Sequence, residues 1–323
     1  MAAGPILEIL SPGALTSVQD LGRFGYGRYG VAPSGALDTF ALRNANLLVG
    51  NREDQACLEI MLLGPRIRFM ADAVVAVTGG NLLPQRNKQP LEMWQAHGFK
   101  KDDILTFKTP VSGFRAYLAV AGGLGVPPVM GSRSTNLPSG FGGYRGRPVK
   151  KDDFLVSGEA VADLNAAGRR FNPDWVPRYP DKWTLRVIWG PQDDQFPEAS
   201  RNLFVQASYK MSAESDRTGI RLQGPAIDRK TDIEESIISE GVVSGSIQIP
   251  GDGKPIIILG ETVTGGYRKI ATVISADLPL LGQIKPDDDL QFEAVSEKTA
   301  YQALHDMEDR IRSIKEGLSI PPA

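Results

Sequence analysis

Two histidines and one cysteine among 323 residues leave little room for the commonest metal and thiol chemistries. His97 and His305 stand far apart, and no H-E-x-x-H or paired-histidine spacing occurs, which argues against a zinc hydrolase. Cys57 is alone, so the sequence allows neither an internal disulfide nor a cysteine metal cluster. No G-x-S-x-G elbow is present, which argues against a serine hydrolase of the α/β type. Nor is there a run approaching the ~20 apolar residues needed to cross a bilayer. The opening MAAGPILEIL has no basic segment leading into a long apolar one, so no signal peptide is read and a cytoplasmic protein is expected. Thirty-six basic against thirty-eight acidic residues give a net charge of −2, without the basic footprint that nucleic acid or an anionic membrane selects. Acid–base chemistry must therefore fall to Asp, Glu, Lys or Tyr, or to a partner protein.

What the chain does have is turn chemistry. Thirty-five glycines and twenty-three prolines interrupt many short apolar runs, and 41% hydrophobic residues suffice for a real core. The segments 66–70, 73–78, 114–120, 185–189, 243–249, 256–259 and 270–275 read as strands, a pattern of barrels or sandwiches. Two helices are expected. One follows Ser34 as N-cap, with Asp38 in its first turn and an apolar stripe of Leu37, Phe40, Ala41, Ala45 and Leu48, and ends near Gly50. The other is the tail, where Ala300, Leu304, Met307, Ile311 and Ile314 alternate four and three apart as far as Gly317. Its seam faces either a lobe of the same chain or a partner.

Short phrases recur. Leu62-Leu63-Gly64-Pro65 returns as Leu222-Gln223-Gly224-Pro225. Lys100-Lys101-Asp102-Asp103 returns as Lys150-Lys151-Asp152-Asp153, and more loosely as Lys285-Pro286-Asp287-Asp288. Each charged copy is a turn followed by a strand. Several such matches in one order predict a mainly β fold of two similar lobes, residues 1–182 and 183–296, followed by a helix and tail over 297–323.

Two glycine-rich segments invite a nucleotide reading. Gly25-Tyr26-Gly27-Arg28-Tyr29-Gly30 fits G-x-G-x-x-G, but no hydrophobic strand precedes it and Val31-Ala32-Pro33 separates it from the helix, so a polar turn is the better reading. Gly140-Phe141-Gly142-Gly143-Tyr144-Arg145-Gly146-Arg147 reads either as an anion cradle or as a long hairpin loop. Three other segments are unusually dense in charged and amide side chains. The first is Thr16-Ser17-Val18-Gln19-Asp20-Leu21-Gly22-Arg23 leading into Ser34-Gly35-Ala36-Leu37-Asp38. The second is Ser215-Asp216-Arg217-Thr218-Gly219-Ile220-Arg221-Leu222. The third runs from Ser246-Ile247-Gln248 to Glu261-Thr262-Val263-Thr264-Gly265-Gly266-Tyr267.

At these segments the sequence resembles the family of C subunits of ATP-dependent 5-oxoprolinases, related to the carboxyltransferase domain of urea carboxylase and formerly called allophanate hydrolase subunit 2. The resemblance extends from about Gly13 to Phe292 and rests on T-S-V-Q-D-L-G-R, S-G-A-x-D, S-D-R-x-G-x-R-L and T-G-G-Y. It implies two cyclophilin-like β-barrel lobes with few helices and a C-terminal helix. It also implies two partners: a B subunit, which joins this one in activating a lactam, and an A subunit, which completes ring opening to glutamate. ATP with Mg²⁺ would be used by the complex. Glu261 stands where relatives often carry Asp.

The residue types suit an amide or lactam, which offers one carbonyl acceptor and one N–H donor. Arg23, Arg217 and Arg221 are candidates for holding a carboxylate or developing oxyanion. Asp20, Asp216 and Glu261 are candidates for accepting an N–H or acting as a base. Gln248 donates and accepts, Ser34 and Thr264 supply hydroxyls, and Tyr267 closes the T-G-G-Y phrase. Asp20, Arg217, Gln248 and Glu261 are the expected catalytic set, and Arg23, Ser34, Asp216, Arg221, Thr264 and Tyr267 the expected substrate-binding set. The competing structural reading is that Asp20 pairs with Arg23 and Asp216 with Arg217, each tying down a turn. Two other functions share the resemblance: a carboxyltransferase component of a biotin-dependent urea or amide carboxylase, and a non-enzymatic antagonist of a kinase inhibitor. No Met-Lys-Met biotin-attachment sequence occurs, so biotin would ride on a separate carrier.

Overall fold

The three charged repeats adopt one geometry, seen in a computed structural model that describes residues 4–158 and 164–318. Asp102, Asp152 and Asp287 all take left-handed backbone angles, with φ of 71°, 66° and 71°. Short polar residues tolerate this region because their side chains bond locally. The aspartate after each one folds back onto the turn's first residue. The carboxylates of Asp103, Asp153 and Asp288 accept the backbone N–H of Lys100, Lys150 and Lys285 at 2.7, 2.6 and 3.1 Å. Each left-handed aspartate also donates its own N–H to a strand carbonyl, that of Phe69, Ile9 or Met211. The sequence repeat is thus a repeated way of docking a turn on a sheet edge.

The L-x-G-P repeat has a packing cause. A Cβ at Gly64 would lie 2.5 Å from the Phe107 side chain, and one at Gly224 would lie 2.6 Å from the Tyr209 ring. In both copies an aromatic side chain occupies the space that a larger residue would need.

The chain clusters into two units, one of residues 1–23, 34–179 and 310–323, the other of residues 24–33 and 180–309. The first unit contains a six-stranded sheet and a five-stranded sheet. The six-stranded sheet runs Phe154–Val156, Pro5–Ser11, Arg66–Phe69, Ile104–Thr106, Gln85–Arg86 and Gln89–Pro90. The five-stranded one runs Leu15–Gln19, Cys57–Met61, Ser112–Val120, Ala73–Asn81 and Ala96–Phe99. Strand alternation assigns the faces. Leu58, Ile60, Val75, Val77, Ala116 and Leu118 join Leu7, Ile9, Ile67 and Phe69 in one core. The intervening Glu59, Thr78, Arg115 and Tyr117 point to the opposite face, where helix α1 (Thr39–Leu48) packs. The Thr78 hydroxyl marks that contact by donating to the Ala41 carbonyl at 2.7 Å.

Helix α1 starts later than its sequence pattern suggests. Its N-cap is Asp38, whose carboxylate accepts the Ala41 N–H at 2.8 Å. Ser34 cannot serve as the cap: its backbone is left-handed, with φ of 55°, and its Oγ accepts from Arg23.

The second unit is a closed seven-stranded barrel. Its order is Lys182–Trp189, Arg268–Val273, Ser246–Ile249, Ile256–Ile258, Gly219–Gln223, Tyr209–Met211 and Asp289–Ala294. The last strand closes on the first as the parallel pair Lys182–Val187 with Asp289–Ala294. Closure removes exposed edges. Helix α2 (Glu198–Gln206), absent from the sequence expectations, buries only Ser200 and Phe204, and the Phe204 ring stacks on Phe292 at 4.5 Å. Helix α3 (Glu297–Leu318) is the expected tail helix; Ile311 and Ile314 of its seam are buried, while Ala300, Leu304 and Met307 are half-buried. The molecule is mainly β, in two lobes with few helices and a C-terminal helix. Among the described residues no helix is long and apolar enough to cross a membrane.

Candidate functional site

In the second unit, the loop after the strand Ile256–Ile258 returns to its own barrel at two places. Its first residues place Glu261 against Arg217, where Nε donates to the carboxylate at 3.1 Å. The Glu261 and Arg217 side chains are 0% and 5% exposed, so the pair sits in a low-dielectric setting. Arg217 is brought there by the turn that precedes the strand Gly219–Gln223. That turn is held by Asp216, whose carboxylate accepts the Thr218 and Gly219 N–H groups at 2.7 and 3.2 Å. Asp216 builds the turn, while Arg217 points inward.

The same loop then brings Gly265 against Gln248. A Cβ at Gly265 would lie 2.3 Å from the Gln248 amide nitrogen, so glycine is what lets the backbone approach it. That buried amide donates to the Tyr267 carbonyl at 3.2 Å. Across the sheet Gln248 is paired with Lys269, at a register shift in the strand Arg268–Val273. Lys269 is also buried, and its ammonium bonds the Glu240 carboxylate. The Lys269 ammonium first, and the Gln192 amide with it, hold the Glu240 carboxyl below its ordinary range. Arg217, Glu261, Gln248 and Lys269 are thus four buried polar side chains within or next to a barrel wall of isoleucines. Thr264 is exposed, and its carbonyl accepts from the Thr262 hydroxyl. Tyr267 is 38% exposed. Arg221 is exposed on a strand whose neighbours Ile220 and Leu222 face the core, and it joins none of these contacts.

Sequence pattern does not single out Lys269, Glu240 or Gln192. The one available signal is the Arg268-Lys269 pair that opens an otherwise apolar strand.

In the first unit, Asp20, Arg23 and Ser34 are all buried. The Asp20 carboxylate accepts from Ser132 Oγ at 2.6 Å, Ser134 Oγ at 2.5 Å, the Gly22 N–H at 2.8 Å and the Arg133 N–H at 2.5 Å. It organises the segment 132–134 as well as its own turn. Arg23 donates to the carbonyls of Ser134 and Val129 and to Ser34 Oγ, and stacks 4.7 Å from the Phe141 ring centre. Beside α1 lies a second buried network. Tyr117 donates to Glu59 at 2.8 Å and accepts the Asp38 N–H, and Tyr179 donates to the Asp38 carboxylate at 3.1 Å. Burial first, and the facing carboxylates next, raise both phenols far above their usual range, so they act as fixed donors. Burial also raises the Cys57 thiol, which keeps it unreactive.

The two glycine-rich segments have local packing roles. Gly27–Tyr29 is a single short 3-10 turn, as the polar-turn reading expects. In the loop 140–147, Arg147 clamps Asp153 with two N–H groups at 2.7 and 2.8 Å. Cβ positions at Gly142 and Gly143 would fall on the Ser134 carbonyl and the Thr135 hydroxyl. Arg147 is thus engaged within the loop, while Arg145 lies over the Tyr144 ring at 5.2 Å.

Residues 29–294 match the family model described as carboxyltransferase domain, subdomain A and B. The chain is 38% identical over 304 residues to the C subunit of 5-oxoprolinase from Escherichia coli, covering 94% of this chain and 96% of that protein. It is 35% identical over 329 residues to the urea amidolyase of Lachancea kluyveri, of which it spans 18%. The crystal structure of the K. lactis urea amidolyase superposes on all of this chain with a TM-score of 0.91 at 33% identity, using 21% of that protein. The chain belongs to the carboxyltransferase domain family of subdomains A and B.

Proposed function

We propose that this chain is the C subunit of an ATP-dependent 5-oxoprolinase, which activates the lactam together with the B subunit so that the A subunit can hydrolyse it to glutamate. One observation carries the reading: the match to the E. coli 5-oxoprolinase C subunit covers 94% of this chain and 96% of that protein.

The buried polar side chains of the second unit supply chemistry suited to a lactam. A carboxylate such as Glu261 that accepts the ring N–H pushes electron density from nitrogen toward the carbonyl oxygen, the atom that must act as nucleophile when the lactam is activated. Arg217 orients that carboxylate, and Gln248 offers a donor to oxygen and an acceptor to N–H from one amide. Fixed dipoles act strongly where water is excluded and no reorganisation is needed. ATP, with the Mg²⁺ that accompanies its phosphates, belongs in this reading to the assembled complex.

The similarity to urea amidolyases supports a second reading, a carboxyltransferase component acting on urea or another amide. The same carboxylate would then activate an amide N–H toward carboxyl transfer, with biotin on a separate carrier chain. Co-expression with candidate A and B subunits, followed by co-purification, separates the two. The first reading expects a complex whose ATP hydrolysis is stimulated by 5-oxoproline and not by urea; stimulation by urea alone favours the second.

A further inference from the structure

Within the second unit, a cleft of about 760 Å³ is bordered by Gln192, Lys230, Glu240 and Arg268 and also by the carboxylates of Asp194, Asp232 and Glu234, while Lys269 lies behind Gln192 and Glu240 rather than on its lining. The cleft volume lies within the roughly 300–1,000 Å³ range usual for small-molecule sites. At one side of the cleft two donors converge on a single oxygen. The Lys269 ammonium and the Gln192 amide, the latter at 2.7 Å, both bond Oε1 of Glu240. The donors are anchored. Lys269 belongs to a barrel strand, its side chain is 7% exposed, and its backbone N–H fixes Gln192 by donating to that residue's Oε1 at 3.0 Å. The acceptor is not anchored in the same way. Glu240 lies on the two-residue strand Glu240–Gly241, which among the described residues pairs with Thr264–Gly265 outside the barrel, flanked by backbone bonds from Ile237 to Gly266 and from Val242 to Val263, and its side chain is 44% exposed.

A buried ammonium is costly without a counter-charge, so the barrel is committed to holding some carboxylate at this point. Nothing in the barrel commits it to holding this one. We propose that the cleft beside Lys269 is a receptor for the carboxylate of a small organic acid, and that Glu240 stands where the ligand's carboxylate binds. Taken with the proposed function, on which the ligand's identity rests, this makes Lys269 and Gln192 the residues that read the carboxylate of 5-oxoproline, a group that an unsubstituted lactam or urea lacks. Entry of the ligand displaces Glu240 toward solvent and frees the short strand that carries it.

The test uses the full chain and isothermal titration calorimetry with 5-oxoproline, glutamate and 2-pyrrolidinone, the same lactam ring without a carboxylate. Glu240→Gln removes the competing charge and is expected to tighten 5-oxoproline binding roughly tenfold or more, as removal of an occluding state does. Binding of 2-pyrrolidinone is expected to stay unchanged. Adding Lys269→Met should reverse the gain. If that variant fails to fold, Glu240→Gln with Gln192→Leu removes the other donor and should lose part of the gain. Unchanged or weaker 5-oxoproline binding by Glu240→Gln, with no gain for glutamate, overturns the proposal, as does an equal gain for 2-pyrrolidinone. A gain for glutamate alone leaves the carboxylate receptor standing and removes the lactam as its ligand. Activity of the wild-type complex reports on the proposed function independently of these variants.

Discussion

Replacing Arg217 by methionine takes the guanidinium away from a carboxylate whose side chain is fully buried. Breaking a buried ion pair from one side costs about 3–5 kcal/mol, because a desolvated charge loses its counter-ion. At roughly 2–4 °C per kcal/mol for a domain of this size, the melting temperature should fall on the order of 10 °C. Glu261→Leu alone should cost a similar amount. The double variant Arg217→Met/Glu261→Leu removes both charges, and apolar replacement of a buried pair is commonly neutral or stabilising by about 1–4 kcal/mol, so most of the loss should be recovered. Activity is expected to behave differently. Loss of one charge-assisted contact made in the transition state is worth about 2–4 kcal/mol, or at least roughly a hundredfold in rate. All three variants should therefore turn over at about one per cent or less of wild type per folded molecule. Melting followed by circular dichroism and turnover in the reconstituted complex, measured on the same preparations, keep the two quantities apart. A stable double variant with wild-type turnover would refute the catalytic role and leave the pair as structure alone.

Gln248→Ala should lower turnover about a hundredfold or more while costing only about 1 kcal/mol of stability, since its amide donates to a single carbonyl; normal turnover per folded molecule would move the site off this strand. Gly224→Ala should destabilise by about 1–3 kcal/mol in urea unfolding, because the new methyl meets the Tyr209 ring inside the cluster of Tyr209, Phe204 and Phe292. Asp153 tests the charged turn through pH. Burial pushes its carboxyl up, but Arg147 and the Lys150 N–H outweigh this and hold it below its ordinary value. A depressed carboxyl contributes stability that is present above its unfolded value of about 3.9 and is lost as pH falls through the lower folded value. Asp153→Asn should be less stable than wild type at about pH 7, with the gap narrowing below about pH 4 in acid-unfolding curves; a constant gap would contradict the assignment.

Much of the architecture is legible in local pattern. The segments 66–70, 73–78 and 114–120 match Arg66–Phe69, Ala73–Asn81 and Ser112–Val120, because their alternation is imposed by a core on one face. The K-x-D-D repeats declare their turn through the aspartate that bonds back to the lysine N–H. Helix α2 leaves no trace because a helix that buries only a serine and a phenylalanine carries no apolar stripe. Pattern misplaces the start of α1 because Ser34 is the better isolated cap, and only tertiary contact with Arg23 shows that it is otherwise engaged. The polar site is half legible. Charged residues at turns draw attention to Arg217 and Glu261, yet spacing cannot tell the inward Arg217 from the exposed Arg221 at the next strand. Lys269 is hidden at the margin of an apolar run, since its role depends on strand pairing with Gln248 and on Glu240 far along the chain.

The most direct test is the release of glutamate from 5-oxoproline by the A and B subunits with and without this chain, at saturating ATP and Mg²⁺. The account predicts ATP-dependent glutamate formation only when all three are present, and none by this chain alone. Equal glutamate release in its absence, or robust hydrolysis by the purified chain, would contradict it.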